Sequence, residues 1–349
     1  MSRLGLLSLL LLSAVMQPGL AQDQAFVKPL FAADSTLELV IEGPFERLTR
    51  ERHEKPELDG VVRYTDSEGQ EVVLDVGLAP RGNSRLDICS FPPFWLNFKR
   101  SQVPDTVFEG QNRLKLVTLC RGSNAYRDYL AQEYQVYRAY NALTERSFRV
   151  RWVNIEYVET EGEDSESTTA SAFLIERDSE VAERAGMEAV NVVSLSIGQL
   201  DSAGAALVSL FQYMIGNTDW SPIAAPPGEN CCHNTKLIGP KDNDADRLVL
   251  PYDFDQVGLI NASYARPSSA VPIRSVTQRL YRGYCALNDD LEAAVQLLNE
   301  RRSDVEAAFE SGDVRERARR RTLSYLEDSY ERINDPRRFE RDLIDRCRG

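Results

Sequence analysis

The sequence predicts an α+β fold in two lobes, a β-rich N-terminal lobe followed by a mainly helical C-terminal lobe. Between Ser35 and Arg121 the apolar residues recur in short alternating runs, the period-two mark of strands with one buried face. From Ala125 to Leu143, and again from Leu291 onward, the spacing changes to that of helices. No internal repeat is evident, so a single stacked unit does not account for the length.

In chain order, residues 1–21 carry Arg3, an apolar run from Leu4 to Met16 and a Pro-Gly-Leu-Ala end, the three parts of a secretory signal peptide. The mature chain is expected to start near Gln22. The run falls short of the roughly 20 apolar residues that span a bilayer, and no later stretch reaches it, so no integral membrane segment is expected after cleavage. The strand candidates are Leu37–Glu42, Gly60–Thr65, Glu71–Val76, Phe94–Lys99 and Arg113–Thr118, read as an antiparallel sheet with a turn at Asp66-Ser-Glu-Gly. A helix over 125–143 follows, with Leu130, Tyr134, Tyr137 and Asn141 on one face. Phe148–Val158 and Ser171–Glu176 read as two more strands around the acidic run Glu159–Thr169, a mobile hairpin tip too polar to bury. Ala205–Ile215 is a strongly apolar helix that stops at Gly216. The expected organisation is residues 22–177 as the β-rich lobe with one helix and 178–349 as the helical lobe, with a cleft between them suited to a nucleotide.

A net charge of −13 over 349 residues argues against bulk binding of nucleic acid or anionic lipid, which needs a basic face. Six cysteines all follow the signal, and an even number in an oxidising compartment implies disulfides, with 15 connectivities open. Cys89 with Cys120, and Cys231 or Cys232 with Cys285, would each staple a loop beside the site described next. Cys231-Cys232-His233 lacks the gap that lets neighbouring ligands converge on zinc.

The chemistry concentrates between Gly216 and Tyr264, in Gly-Asn-Thr-Asp-Trp-Ser at 216–221, His-Asn-Thr-Lys-Leu-Ile at 233–238 and Pro-Tyr-Asp-Phe-Asp-Gln-Val-Gly at 251–258. Phosphoryl transfer to a hydroxyl needs a base and hard oxygen ligands for a divalent cation. Asp219 can accept the hydroxyl proton, and Asn234 and Asp253 can hold Mg²⁺. Taken alone, Asp219 also reads as a turn-former leaving a helix. Asp253 follows the apolar run Leu248–Leu250 as a metal-binding Asp follows a strand.

From Val76 to Tyr264 the chain resembles the CotH kinase family, secreted or cell-surface relatives of the protein kinase fold. The resemblance rests on Arg81-Gly82-Asn83-Ser84, Arg127-Asp128, Asn217-Thr-Asp219, His233-Asn234 and Asp253-Phe-Asp255 with Gly258 behind it. A similar order occurs in HipA-like kinases. It implies a two-lobed protein-kinase-like fold, ATP as substrate with Mg²⁺ or Mn²⁺, Asp219 as the catalytic Asp, Asn234 and Asp253 as metal ligands, and Asp255 as a further ligand or loop anchor. Arg81, Gly82, Asn83 and Ser84 would form the loop over the phosphates, although the same four residues make an ordinary turn. Gly82 lets the backbone approach an anion, and Arg81 can pair with phosphate oxygens.

A kinase site also needs a cation on the phosphates, usually a Lys paired with a Glu on the next helix. Lys115 with Glu133 has the expected order; Lys99 is the alternative. Phe173–Glu176 is placed as the segment that receives the adenine. The chain departs from protein kinases in lacking Gly-x-Gly-x-x-Gly and His-Arg-Asp, and in placing Asn234 15 positions after Asp219 instead of five. The loop from Trp220 to Cys232 must therefore fold back. His233 reads as a supporting or packing residue rather than a base.

The leading expectation is a secreted, periplasmic or envelope kinase that phosphorylates a hydroxyl on an extracellular or envelope protein. Adenylyl transfer, a non-catalytic nucleotide-binding scaffold, and a metal-dependent hydrolase built on Asp219, Asp253 and Asp255 compete with it.

Overall fold

The computed structural model describes residues 27–162 and 166–349. The expected signal peptide at 1–21 lies outside the described residues, as do 163–165 of the acidic hairpin tip.

The chain begins with a short helix α1 (Pro29–Ala32), then β1 (Leu37–Gly43), α2 (Phe45–Arg50), β2 (Leu58–Thr65), β3 (Glu71–Pro80), α3 (Ser84–Ile88), β4 (Phe94–Phe98) and β5 (Arg113–Thr118). Helix α4 (Asn124–Asn141) precedes the hairpin β6 (Val150–Glu159) and β7 (Ser167–Ile175). The remainder holds α5 (Asp178–Arg184), β8 (Glu188–Val190), α6 (Ser202–Ile215), β9 (Thr235–Gly239), β10 (Leu248–Pro251), α7 (Leu291–Glu300), α8 (Arg302–Glu310), α9 (Glu316–Asn334) and α10 (Pro336–Asp342).

Seven strands close into a barrel in the order β1-β2-β3-β4-β5-β7-β6. Neighbours are antiparallel except β1 and β6, which pair in parallel from Leu37 opposite Val153 to Gly43 opposite Glu159. Alternation explains the closure. Leu39, Ile41, Val62, Leu74, Val76, Leu78, Phe94, Leu96, Leu114, Leu116, Val153, Ile155 and Leu174 sit in one buried cluster drawn from all seven strands. A closed sheet buries that whole face and leaves no unpaired edge. Buried Arg151 tethers the seam: its guanidinium donates to Leu30 O at 2.9 Å and Ser35 O at 3.1 Å, just before β1.

This closure overturns the two-lobed protein-kinase-like fold. The N-terminal strands are not an open antiparallel sheet. The long hairpin β6–β7 carries the chain back across β5 and onto β1, and the result is a mixed barrel with a small three-stranded sheet, β10-β9-β8, and helices beside it. The sequence runs placed the barrel strands within a few residues, but alternation alone does not say which two edges meet. The acidic tip is also shorter than expected, because β7 already begins at Ser167.

Outside the barrel a second core gathers α4, α6, α7, β9, β10 and the outward residues Val117, Val150, Phe173 and Ile175. Helix α6 is buried along most of its length and ends at Gly216, in the left-handed conformation at φ +69°. A Cβ there would lie 2.1 Å from the Tyr325 hydroxyl, so only glycine fits. Three disulfides join Cys89 to Cys120, Cys231 to Cys232 and Cys285 to Cys347. The first matches the expected staple; the expected bridge to Cys285 is replaced by a bond between sequence neighbours and one to Cys347. These bonds are compatible with a secreted or envelope protein, and among the described residues no helix is long and apolar enough to cross a membrane.

Candidate functional site

The stop at Gly216 releases Asn217, whose side chain accepts from the Asp219 backbone N–H at 3.0 Å and sets the turn. The loop after it does fold back. Ser221 N–H donates to His233 O at 2.9 Å, His233 N–H to Ala224 O at 3.1 Å, and the Thr235 hydroxyl to Ser221 O at 2.9 Å. Fourteen positions beyond Asp219, His233 is thereby returned to its side: Nε2 lies 2.9 Å from Oδ1. Asn234 Nδ2 donates to Asp219 O at 2.7 Å and to Oδ2 at 3.2 Å. The His233 contact, chiefly, holds the Asp219 carboxyl below its ordinary pKa, while Asp219 raises that of His233. Asp219 remains 45% exposed, so its carboxylate faces solvent as well as its holders.

Asn234 and Asp253 meet through β9 and β10, where Tyr252 N–H donates to Asn234 O at 3.2 Å. Both residues hold left-handed backbone, φ +49° for Asn234 and +64° for Asp253. Non-glycine residues in this region carry strain that clusters at functional sites. The Asp253 N–H is fixed by the Tyr137 hydroxyl at 2.9 Å, and its carboxylate is 45% exposed. The Asn234 amide oxygen and the Asp253 carboxylate are two oxygens of the kind Mg²⁺ takes, the ion typically keeping its remaining positions for water and phosphate. Among the described residues no three His, Cys, Asp or Glu side chains gather as a self-sufficient metal cage.

Asp255 does not join them. It is buried, and its Oδ2 accepts from Arg85 Nε at 3.0 Å. Arg85 also donates to Glu133 Oε2 at 2.6 Å and lies 3.9 Å from Asp253. Burial raises the Glu133 and Asp255 pKa values, Arg85 opposes both, and the Arg85 value is lifted well above normal by its two close carboxylates against the cost of burial. One guanidinium thus serves as the hub for three acids.

The expected Lys115–Glu133 pair is therefore corrected: Glu133 belongs to Arg85, which α3 aims inward one position past the Arg81–Ser84 loop. Lys115 stands on the outer face of the barrel because its neighbours Leu114 and Leu116 point in. Its ammonium lies 4.8 Å from the Tyr252 ring centroid and 5.5 Å from that of Phe148. Burial first, and then Arg81, push its pKa down to about 7. Lys99, the alternative, is exposed and paired with Asp75 at 2.9 Å. Glu176 is also misplaced as a nucleotide contact: its carboxylate is committed to Arg184 Nη2 and the Arg149 N–H, each at 2.9 Å.

Arg81, Gly82, Asn83 and Ser84 line one small cavity of about 40 Å³ with Arg85, Glu133, Tyr137, Tyr252 and Asp253. Gly82 holds φ +96°, which glycine adopts freely. Arg81 leans over Trp95 at 5.2 Å, and its Nε is buried with no hydrogen-bond partner. Among the described residues neither Arg81 nor Lys115 has a carboxylate at ion-pair distance, although both feel the charge of Asp253.

Arg85 and Tyr137, which sequence reasoning did not place at the candidate site, both stand beside Asp253. Tyr137 lies four residues after Glu133 on α4, a same-face spacing that was read as core alone. The structure brings together Asp219 with Asn234, and Arg81–Ser84 with Glu133 and Asp253, with Lys115 beside Tyr252; it withholds Glu176 and turns Asp255 into a loop anchor. No family model and no curated protein matches the chain in sequence.

Proposed function

We propose that the protein is an ATP-dependent phosphotransferase acting outside the cytoplasm on a hydroxyl of an extracellular or envelope protein. The observation that carries this reading is a pair of cations without carboxylate partners, buried Lys115 and part-buried Arg81, whose Nε is buried with no hydrogen-bond partner, both within the field of Asp253. Cations so placed are costly unless an anion completes them, and a polyphosphate supplies the missing charge. Asp219 is ionised at neutral pH and held by His233 and Asn234, so it can orient an acceptor hydroxyl and take its proton as the oxygen bonds to the γ-phosphorus and the bond to the β,γ-bridging oxygen breaks. A divalent cation on Asn234 and Asp253 would neutralise phosphate charge. The likeness to CotH kinases in motif order supports the same reading.

The cavity of about 40 Å³ is far below the roughly 300–1,000 Å³ of ligand pockets, so entry of a nucleotide requires the Arg81–Ser84 loop to move. That closure, and the capture of Glu133 by Arg85, favour as second reading a nucleotide-binding scaffold without transfer. Incubation with γ-labelled ATP, Mg²⁺ or Mn²⁺ and an extracellular protein extract separates the two. Label on protein that is lost in Asp219→Asn and Asp253→Ala supports transfer; nucleotide binding with no label supports the scaffold.

A further inference from the structure

A second group of cations without carboxylate partners, Arg282 and Arg348, includes one whose charge acts on Asp219. The Cys285–Cys347 disulfide brings the C-terminal segment against 283–285, where Cys285 N–H donates to Arg348 O and Arg348 N–H to Gly283 O, both at 2.9 Å. This sets the Arg348 guanidinium over the Tyr284 ring at 4.8 Å. Tyr281, one residue before Arg282, packs edge-on against Tyr213 of α6 at 6.2 Å between ring centres, on the helix that delivers Asp219. Arg282 Nε and Arg348 Nη1 are buried without hydrogen-bond partners, yet both residues keep part of their surface in solvent. Among the described residues neither guanidinium has a carboxylate at ion-pair distance.

The two arginines repel each other, and the charge of Arg282 acts on Asp219. The nucleotide-side cations Arg81 and Lys115 instead feel the charge of Asp253, Lys115 that of Asp178 as well. Arg282 is thus the cation that reaches Asp219, with Arg348 as its neighbour. On a chain of net charge −13, two neighbouring arginines without an ion-paired carboxylate among the described residues are a local exception that a ligand's anion would complete.

We propose that Arg282 and Arg348 form an acceptor-side anion site that selects hydroxyl-bearing peptides with a carboxylate or phosphate close to the hydroxyl. The assignment to an acceptor rests on the phosphotransferase reading of Asp219. The half-exposed setting of Asp219 and both arginines suits an extended peptide, and guanidinium groups take carboxylate and phosphate oxygens in the same forked geometry.

The test is calorimetric titration of the full mature chain with three peptides that share a central Ser and differ in flanking residues: Asp and Glu, phosphoserine, or Asn and Gln. Wild type is expected to bind at least one anionic peptide about tenfold more tightly than the neutral one, and the ranking of carboxylate against phosphate identifies the natural source. In Arg282→Gln and in Arg348→Gln the preference should collapse, and Arg282→Lys should restore part of it. Arg348→Gln, at the edge of the fold, carries the test if Arg282→Gln does not fold. Equal binding of all three peptides by wild type overturns the proposal. Phosphoryl transfer to the same peptides is measured in parallel: discrimination without transfer would sink the phosphotransferase reading and leave the anion site, whereas transfer without discrimination would sink the anion site alone.

Discussion

Replacing Asp219 by Asn keeps the side chain's shape and its contact with Asn234 while removing the charge to which His233 responds. The variant should lose transfer by about 10²–10⁴-fold, the usual worth of a positioned base, and the His233 pKa should fall toward its ordinary value, read by NMR titration. The sign for stability follows from that raised value: the contribution of His233 is complete below about pH 6.5 and is lost as pH rises through the folded pKa. Lys115 behaves oppositely. Its folded value of about 7 lies under the unfolded 10.5, so the stability linked to it is present above the unfolded value and is lost as pH falls through about 7. A bound polyphosphate reverses the preference, and nucleotide binding near pH ~8 should take up close to one proton, measured by calorimetry in buffers of different ionisation enthalpy; Lys115→Met should abolish the uptake. Arg85→Ala leaves Glu133 and Asp255 buried without their cation and should cost about 3–5 kcal/mol in urea denaturation. At this scale the approach of Asn234 to Asp219 was legible because polar residues interrupt apolar runs in an order that chemistry restricts. Arg85 was not, since an Arg in a five-residue helix gives no sign of which acids it will meet.

Helix α3 is held by a staple rather than by its own length. Five residues make barely more than one turn, below the length at which helices are stable alone, and Cys89 at its end is bound to Cys120 just after β5. Ser90 N–H and Phe91 N–H both donate to Cys120 O, at 3.0 and 3.4 Å. The bridge fixes the helix that carries Arg85 and, with it, the Arg81–Ser84 loop. A Cys89→Ser/Cys120→Ser variant should lose about 3–4 kcal/mol, the chain-entropy value for closing a loop of this length, and should show faster amide exchange over residues 81–88. The opposite pattern, unchanged exchange there, would mean that Arg85 alone fixes the loop. Helix α4 was readable from its periodicity and α6 from its unbroken apolar run up to Gly216, because both are long and pack into the same core. Helix α5 and strand β8 were not, because seven and three residues are too few to display a period. The pairing of Cys231 with its neighbour was equally hidden, since spacing alone leaves the 15 connectivities of six cysteines open.

The molecule as a whole joins a closed barrel to a helical part through α4 and the outer faces of β5, β6 and β7, and the proposed site lies along that seam. The two-lobe expectation failed here because strand alternation records which face is buried, not how many edges remain; the parallel pair of β1 and β6 depends on residues more than a hundred positions apart. Asp219 and Asn234 nevertheless meet, because α6 and the loop that returns to β9 bring them together outside the barrel. The arrangement is shut over its small cavity, so ligand entry must shift the loop at residues 81–84 relative to β10. The most direct measurement is calorimetric titration of the mature chain with ATP in the presence and absence of Mg²⁺, using wild type, Lys115→Met, Asp253→Ala and Asp219→Asn. Saturable binding that needs Mg²⁺, weakens at least about tenfold in Lys115→Met and Asp253→Ala, a loss of roughly 1.4 kcal/mol or more, and survives in Asp219→Asn is the predicted result. Absence of binding by the wild type, or affinity indifferent to Lys115 and Asp253, would contradict the account.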